Sequence, residues 1–282
     1  MSGTIEATTA STAPRRWRRL LPATTSGRIG LFLLVVILGL ALVGPLVAGE
    51  SPTQTIGTPY RSPSSGAIFG LDFLGRDVLT RALHGGRSVL LFAGAATVVA
   101  YAFGLVVGLF AGYTRSRIDT VLMRSMDVLL AFPTLIFILV LSNAFSRSIW
   151  AVVAATAVIQ MPSIARIVRT ATVEQSVRGF VEAAVARGES MVSVLGREIL
   201  PNLARPLSAD IGLRFSWSVL LIASVNFLGL GLQPPTSDWG LMVSENRAGI
   251  GLNPWAVLVP AVLIGALTVA INLLSDSIAD SA

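Results

Sequence analysis

The chain has 282 residues, of which 53% are hydrophobic and 13% charged, with a net charge of +6 and a mean hydropathy of +0.75; a soluble domain usually carries about 25% charge, so a water-facing globule is excluded and an integral membrane protein fits. Cysteine is absent and His84 is the one histidine, which removes disulfides, thiolate metal sites, cysteine nucleophiles and any multi-histidine metal centre. All 21 basic residues are arginine, so no Gly-Lys-Ser/Thr loop can place a lysine on nucleotide phosphates, and neither ATP hydrolysis by that route nor a cofactor in this chain is expected.

Residues 1–28, rich in Ser, Thr, Ala and Arg, are expected to form a disordered tail. A bilayer core of about 30 Å needs roughly 20 apolar residues in helix, and six runs qualify, approximately 30–49, 88–112, 120–142, 149–171, 207–230 and 255–275. The expected fold is therefore an all-α polytopic membrane protein with six transmembrane helices. Its organisation is a tail over 1–28, a first span with the segment after it over 29–87, and a core of five spans over 88–282. The first run follows "RRWRR", but from Ile29 to Val47 it is longer than a signal-peptide core and no small-x-small cleavage site follows, so it is read as a retained span.

Between the first two spans, Asp72, Arg76, Asp77 and Arg81 have spacings that allow i,i+4 pairs if the segment is helical. Within the second, Gly104-xxx-Gly108 suits close helix packing. Asp127 falls in the third span and Asp210 with Arg214 in the fifth. Charges at membrane depth face protein or water, so these belong either to a solute path or proton relay or to local pairs, Asp127 with Arg124 and Asp210 with Arg214. After the fifth span, Asp238 is placed to cap a short helix beginning near Trp239, with Trp239 at the membrane interface.

With the N-terminus in the cytoplasm, Arg15, Arg16, Arg18, Arg19, Arg28, Arg115, Arg117, Arg124, Arg166, Arg169, Arg178, Arg187, Arg197 and Arg205 fall inside. Arg61, Arg76, Arg81, Arg87, Arg147 and Arg247 fall outside. That bias places both termini inside. It also accounts for the basic charge as a topology signal, so nucleic acid is not an expected partner.

Residues 172–206 then form a cytoplasmic loop between the fourth and fifth spans. In "FVEAAVARGESMVSVLGREILPN" (180–202), Val181, Ala184, Val185, Gly188, Val192, Leu195 and Ile199 recur at helical spacing, an amphipathic pattern. Arg178 and Glu182 stand at i,i+4, Ala183 and Ala184 leave room for a partner's backbone, Gly188 can supply a turn, and Pro201 opens a new segment. The pattern fits a helix, a turn and a second helix, either docking to a cytoplasmic partner or lying on lipid headgroups.

This stretch resembles the EAA loop of ATP-binding-cassette importer permeases. Glu182-Ala183-Ala184, Gly188 four positions later and Ile199-Leu200-Pro201 carry the likeness. "LGRDVLTR" (74–81), "MRSMDVLLAFP" (123–133), "ARIVR" (165–169) and "FLGLGLQPPTSDWG" (227–240) are similar to landmarks of the dipeptide/oligopeptide/nickel permease branch. The resemblance implies a multi-pass subunit of the cell membrane that carries peptides or similar small solutes. Its implied partners are a second homologous permease, two ATPase subunits that hold ATP and Mg, and an extracytoplasmic solute-binding protein. It also implies that Val181, Glu182, Ala183, Ala184, Gly188, Ile199, Leu200 and Pro201 couple the chain to an ATPase. Arg187 stands where the family more often has leucine, and Glu198 where histidine is common. The rival reading is a stand-alone secondary transporter driven by an ion gradient, with Asp127 and Asp210 as proton sites.

Overall fold

Nine helices of eight residues or more carry the chain in the computed structural model, which describes residues 24–49 and 51–280. They are α1 Thr25–Val47, α2 Val78–Thr114, α3 Arg117–Leu130, α4 Thr134–Ala144, α5 Ile149–Gln175, α6 Gly179–Ala186, α7 Ala204–Phe227, α8 Trp239–Asn246 and α9 Trp255–Asp280. Among the described residues the β-type pairings are isolated bridges, such as Thr55 with Arg76 and Leu71 with Asp77, so the fold is all-α. Of the tail expected over 1–28, residues 1–23 lie outside the described residues. Thr25–Arg28 are helical instead of coil, because Thr24 caps α1, its Oγ1 accepting from Gly27 N–H at 3.1 Å.

Five helices, α1, α2, α5, α7 and α9, are long and apolar enough to cross a membrane. Their outward faces carry large apolar side chains, among them Phe32, Leu46, Val98 and Val262, each more than 60% exposed, as a lipid-facing surface requires. The third expected span, 120–142, is not one helix. It is α3 and α4, bent by 87° at a break around Pro133. Proline has no N–H to give the ladder and disfavours helical backbone in the residue before it, so the helix ends at Leu130 and restarts at Thr134. The boundary drawn at 87/88 also fails, since α2 runs unbroken through it.

The centre of the bundle is the contact between α2 and α5. Gly104, Gly108 and Gly112 form one stripe on α2, and a Cβ on Gly108 would stand 2.6 Å from Ala165 O and from Val168 Cβ. The glycines thus let the two backbones approach to a distance no side chain permits.

One end of the bundle is capped by residues 51–77 together with α8. Asn253 Nδ2 donates to the carbonyls of Phe69 and Leu71, each at 3.0 Å, and Asn246 Oδ1 accepts from Phe73 N–H at 3.0 Å. Asp72, Arg76, Arg81 and Glu245 make a buried ionic cluster, with Arg81 Nη1 2.7 Å from Asp72 Oδ2 and 2.6 Å from Glu245 Oε2. The Asp72–Arg76 pair at 2.7 Å has the expected spacing but forms in a loop. Arg81 turns to Asp72, because Asp77 is occupied in capping α2 through Thr80 N–H at 2.7 Å. His84 Nδ1 lies 2.8 Å from Thr80 O, one turn back in α2. Trp239 is fully buried, its Nε1 donating to Ala82 O at 2.7 Å. It is a core residue and not an interfacial one, because α8 folds back onto the start of α2 with Trp239 between them.

Candidate functional site

The opposite end of the bundle holds residues 176–203, and it is built on a firm base. Arg115 caps α2 and donates to Val173 O at 2.8 Å and Ser176 Oγ at 2.7 Å. Arg169 of α5 grips Asp119 of α3 with two bonds of 2.6 Å, the bidentate geometry that makes Arg–carboxylate pairs specific. The ends of α2, α3 and α5 are thereby fixed to one another beneath the loop.

On this base sits α6. Its C-terminus is closed by Gly188 at φ +77°. Gly188 N–H bonds to Val185 O at 2.9 Å and Glu189 N–H to Ala184 O at 3.2 Å, the paired bonds of a Schellman cap. The expected turn is therefore present and reverses the chain. The second helical segment follows as Met191–Ser193, a wider π-helical turn Val194–Ile199, and Leu200–Asn202. Leu200 N–H reaches back five residues to Leu195 O. Pro201, which has no N–H to donate, enters at the start of the last piece. Ser190 caps the segment through Ser193 N–H at 3.4 Å.

The two pieces share a small core of Val181, Ala184, Val194, Leu195, Ile199 and Leu203. The residues implied by the resemblance divide accordingly. Val181, Ala184 and Ile199 face inward, at 2%, 0% and 0% exposure, with Leu200 half-buried beside them. Glu182, Ala183, Gly188 and Pro201 are exposed. The space expected beside both alanines exists only at Ala183, since Ala184 is already in contact with its own chain. Val185 and Val192, counted in the apolar stripe, are exposed at 51% and 72%: Val185 lies one residue round α6 from the inward-facing Ala184, and Val192 follows the turn at Gly188, which resets the helical phase. Together with Val177 and Phe180, 60% and 38% exposed, they give this end an apolar outer face.

Arg187 is the cation paired within the loop. It meets Glu189 at 2.6 Å and Glu198 at 3.6 Å, and Ser193 Oγ donates to Glu189 Oε2 at 2.9 Å. These bonds hold the Glu189 carboxyl below its ordinary range, Arg187 contributing most. The expected Arg178–Glu182 pair does not form, because Arg178 is the extended residue ahead of α6 and the helical spacing does not apply there.

Polar groups also gather inside the bundle. Asp210 accepts from Arg214 Nε at 3.2 Å, the expected i,i+4 pair, and from Tyr101 Oη across the interface with α2. Gln160 Nε2 donates to Ser218 Oγ at 2.7 Å, and Ser218 and Thr97 hydroxyls lie 2.9 Å apart. Asp127 pairs with Arg166 of α5 at 2.8 Å rather than with Arg124; both are more than half exposed, so the pair is a weak one. Tyr101 and Gln160 were not singled out from sequence, and Arg166 counts there as an inside charge within "ARIVR" and not as the partner of Asp127. Their signal was a polar side chain inside an apolar run, which does not say which helix it meets.

Residues 104–281 match the family described as the binding-protein-dependent transport system inner membrane component. The chain is 34% identical over 267 residues to a glutathione transport system permease protein of Escherichia coli, covering 95% of this chain and 88% of that one. It is 31% identical over 261 residues to a dipeptide transport system permease protein of Haemophilus influenzae, covering 90% and 88%. A di/tripeptide transport system permease protein of Pseudomonas aeruginosa is 32% identical over 259 residues, covering 89% and 86%. Among solved structures, a chain of the MetNI methionine ABC transporter in an inward-facing conformation superimposes with a TM-score of 0.59 at 20% identity. The match covers 71% of this chain and 95% of that chain, and at that identity the likeness is one of fold.

Proposed function

The chain belongs to the family of binding-protein-dependent transport system inner-membrane components, and from that premise we propose that it is the peptide-carrying permease subunit of an ATP-driven importer, coupled to its ATPases through residues 179–202. Family membership sets aside the stand-alone secondary transporter. The relatives named for dipeptides, di/tripeptides and glutathione support short peptides as the cargo class. ATP and Mg belong to two separate ATPase subunits. A second homologous permease completes the path, and an extracytoplasmic binding protein delivers the solute.

The observation that carries the coupling role is the division of α6 into two faces. Val181 and Ala184 anchor it to the chain's own core, while Glu182, Ala183 and Val185 stand outward on a short helix closed by a rigid turn. A helix so anchored moves with the ends of α2, α3 and α5, so a push on its outer face is delivered to the spans. The exposed apolar side chains at Val177, Phe180, Val185 and Val192 offer a protein partner apolar area to bury.

Two neighbouring substitutions test this. Ala183→Trp adds bulk on the outer face and is expected to leave membrane abundance normal while ATPase co-purification and peptide uptake fall about tenfold or more, equivalent to about 1.4 kcal/mol. Ala184→Trp overfills a closed core, a change that typically costs about 1–3 kcal/mol, and lowers thermal stability of the purified chain. Normal co-purification of ATPases by Ala183→Trp at matched abundance removes α6 as the coupling element.

A further inference from the structure

Several side chains of the bundle keep a buried polar atom without a partner, Thr156, Ser216 and Asn272 among them, and so does Gln160, although its Nε2 donates to Ser218. Gln160 is 5% exposed, and its Oε1 is buried without a hydrogen-bond partner. It lies on α5, about 16 Å from one helix end and about 22 Å from the other at 1.5 Å per residue, a depth that lipid headgroups do not reach. Gln160 lines a cavity of about 420 Å³ between α4, α5 and α7.

Two further groups enter that cavity. Arg214 comes from α7. Asp210 engages its Nε, and among the described residues its two terminal nitrogens donate to nothing. The second group is the N-terminus of α4, where Thr134 and Leu135 form part of the wall. No side chain caps this helix, and its first backbone bond runs from Phe137 N–H to Pro133 O at 3.0 Å. The amides of Thr134, Leu135 and Ile136 therefore precede the ladder and are free to donate. The 87° break between α3 and α4 is what brings such a terminus to mid-depth.

We propose that this cavity binds the C-terminal carboxylate of the peptide in transit, an inference that rests on the permease reading above. The positive end of α4 and the guanidinium of Arg214 both favour an anion, and half-helix termini at the centre of a membrane protein are suited to anionic solute groups. Asp210 pairs with the Nε edge of Arg214 and offsets part of its charge, but it leaves the two terminal nitrogens to donate to an anion. Gln160 Oε1 is an acceptor and does not serve the carboxylate. It serves an N–H beside it, and the last residue of a peptide carries both groups within a few ångströms of each other.

Because the chain has no cysteine, Ser163, which lines the same cavity, can report occupancy after Ser163→Cys. The measurement is the rate at which methanethiosulfonate ethylsulfonate labels that cysteine in the complete transporter in nanodiscs, without binding protein. Saturating trialanine is expected to slow labelling about fivefold or more by mass action, and trialanine amide, which lacks the carboxylate, to leave it nearly unchanged. Gln160→Glu in the same background puts an anion beside the site and is expected to abolish the protection. Equal slowing by both peptides, or slowing by neither, overturns the proposal, and the Ser163→Cys chain alone decides this even if Gln160→Glu does not accumulate. Trialanine uptake by the wild-type transporter is measured separately. Uptake without protection sinks the carboxylate site alone, and protection without uptake sinks the peptide cargo alone.

Discussion

Asp238 caps α8 with one oxygen, which accepts from Gly240 and Leu241 N–H at 2.9 and 3.2 Å and from Asn226 Nδ2 at 2.9 Å. Its other oxygen is buried and unpartnered. Burial outweighs these donors and pushes the carboxyl up to about 6 from an ordinary 3.8. The folded state therefore holds this proton to higher pH than the unfolded chain does. Its contribution to stability is complete below about pH 4 and is lost as pH rises through about 6, a difference of order 3 kcal/mol. Asp238→Asn keeps a cap acceptor and removes the titration, so the melting temperature of the variant is expected to fall less than wild type between pH 5 and pH 8. Parallel curves would show that Asp238 does not titrate in that window. At Gly188 a Cβ would meet nothing within 4 Å, yet φ is +77°. A substitution there is penalised through the backbone alone, by roughly 1–2 kcal/mol for an ordinary residue. Gly188→Asn, which tolerates left-handed backbone, should keep most ATPase co-purification, and Gly188→Val should lose most of it. Equal behaviour of the two would mean that the turn's conformation is unimportant. The glycine was legible in the sequence as a turn. That Ala183 and Ala184 have opposite environments was not, since composition cannot show which side of a helix its own chain covers.

Glycines on one helix differ as sharply as those two alanines do. On α2, Gly108 is pressed against the backbone of α5, whereas a Cβ on Gly94 would come no nearer than 3.8 Å to Phe215. A main-chain oxygen cannot swing aside as a side chain can, so Gly108→Ala separates the helices or strains them. It is expected to cost about 1–3 kcal/mol, as overpacking does. Gly94→Ala removes only unfolded-state freedom and is expected to be neutral or to stabilise by about 0.5–1 kcal/mol. Thermal denaturation of both variants in detergent checks the pair, and similar losses would refute the packing assigned to α2 and α5. The Gly104-xxx-Gly108 spacing announced such a contact without naming its partner. The run 120–142 announced a span, but average hydropathy is insensitive to the direction of the chain. The break was written only in Pro133, which many transmembrane helices tolerate. The ionic cluster of the cap shows the same limit. Asp72, Arg76 and Arg81 were visible as neighbours in sequence, whereas Glu245 joins them from far along the chain and no local spacing points to it.

For the whole molecule, hydropathy fixes what a bilayer fixes, namely which segments cross and roughly where they end. Five of the six expected spans are single helices; four lie within about five residues of their predicted bounds, whereas α2 begins at Val78, well before the span expected from 88. The direction of crossing rests on the arginine bias, and it has a direct test because no native cysteine interferes. A cysteine at Ser64, in the cap, should react with an impermeant maleimide in intact cells, and one at Ser190, in the loop beyond α6, should react only after permeabilisation; the reverse pattern would invert the topology. That test also bears on the role of α2, the longest helix among the described residues. Its 37 residues span about 55 Å, well beyond the roughly 30 Å of a bilayer core. One terminus lies beside the buried Arg81–Glu245 pair and the other beside Arg115 and the base of α6. A rod of that length is a lever with the glycine stripe as its fulcrum. Tilting it by about 5° displaces one end relative to the other by about 5 Å, so a small rocking against α5 transmits motion from the cap to the loop without any helix unwinding.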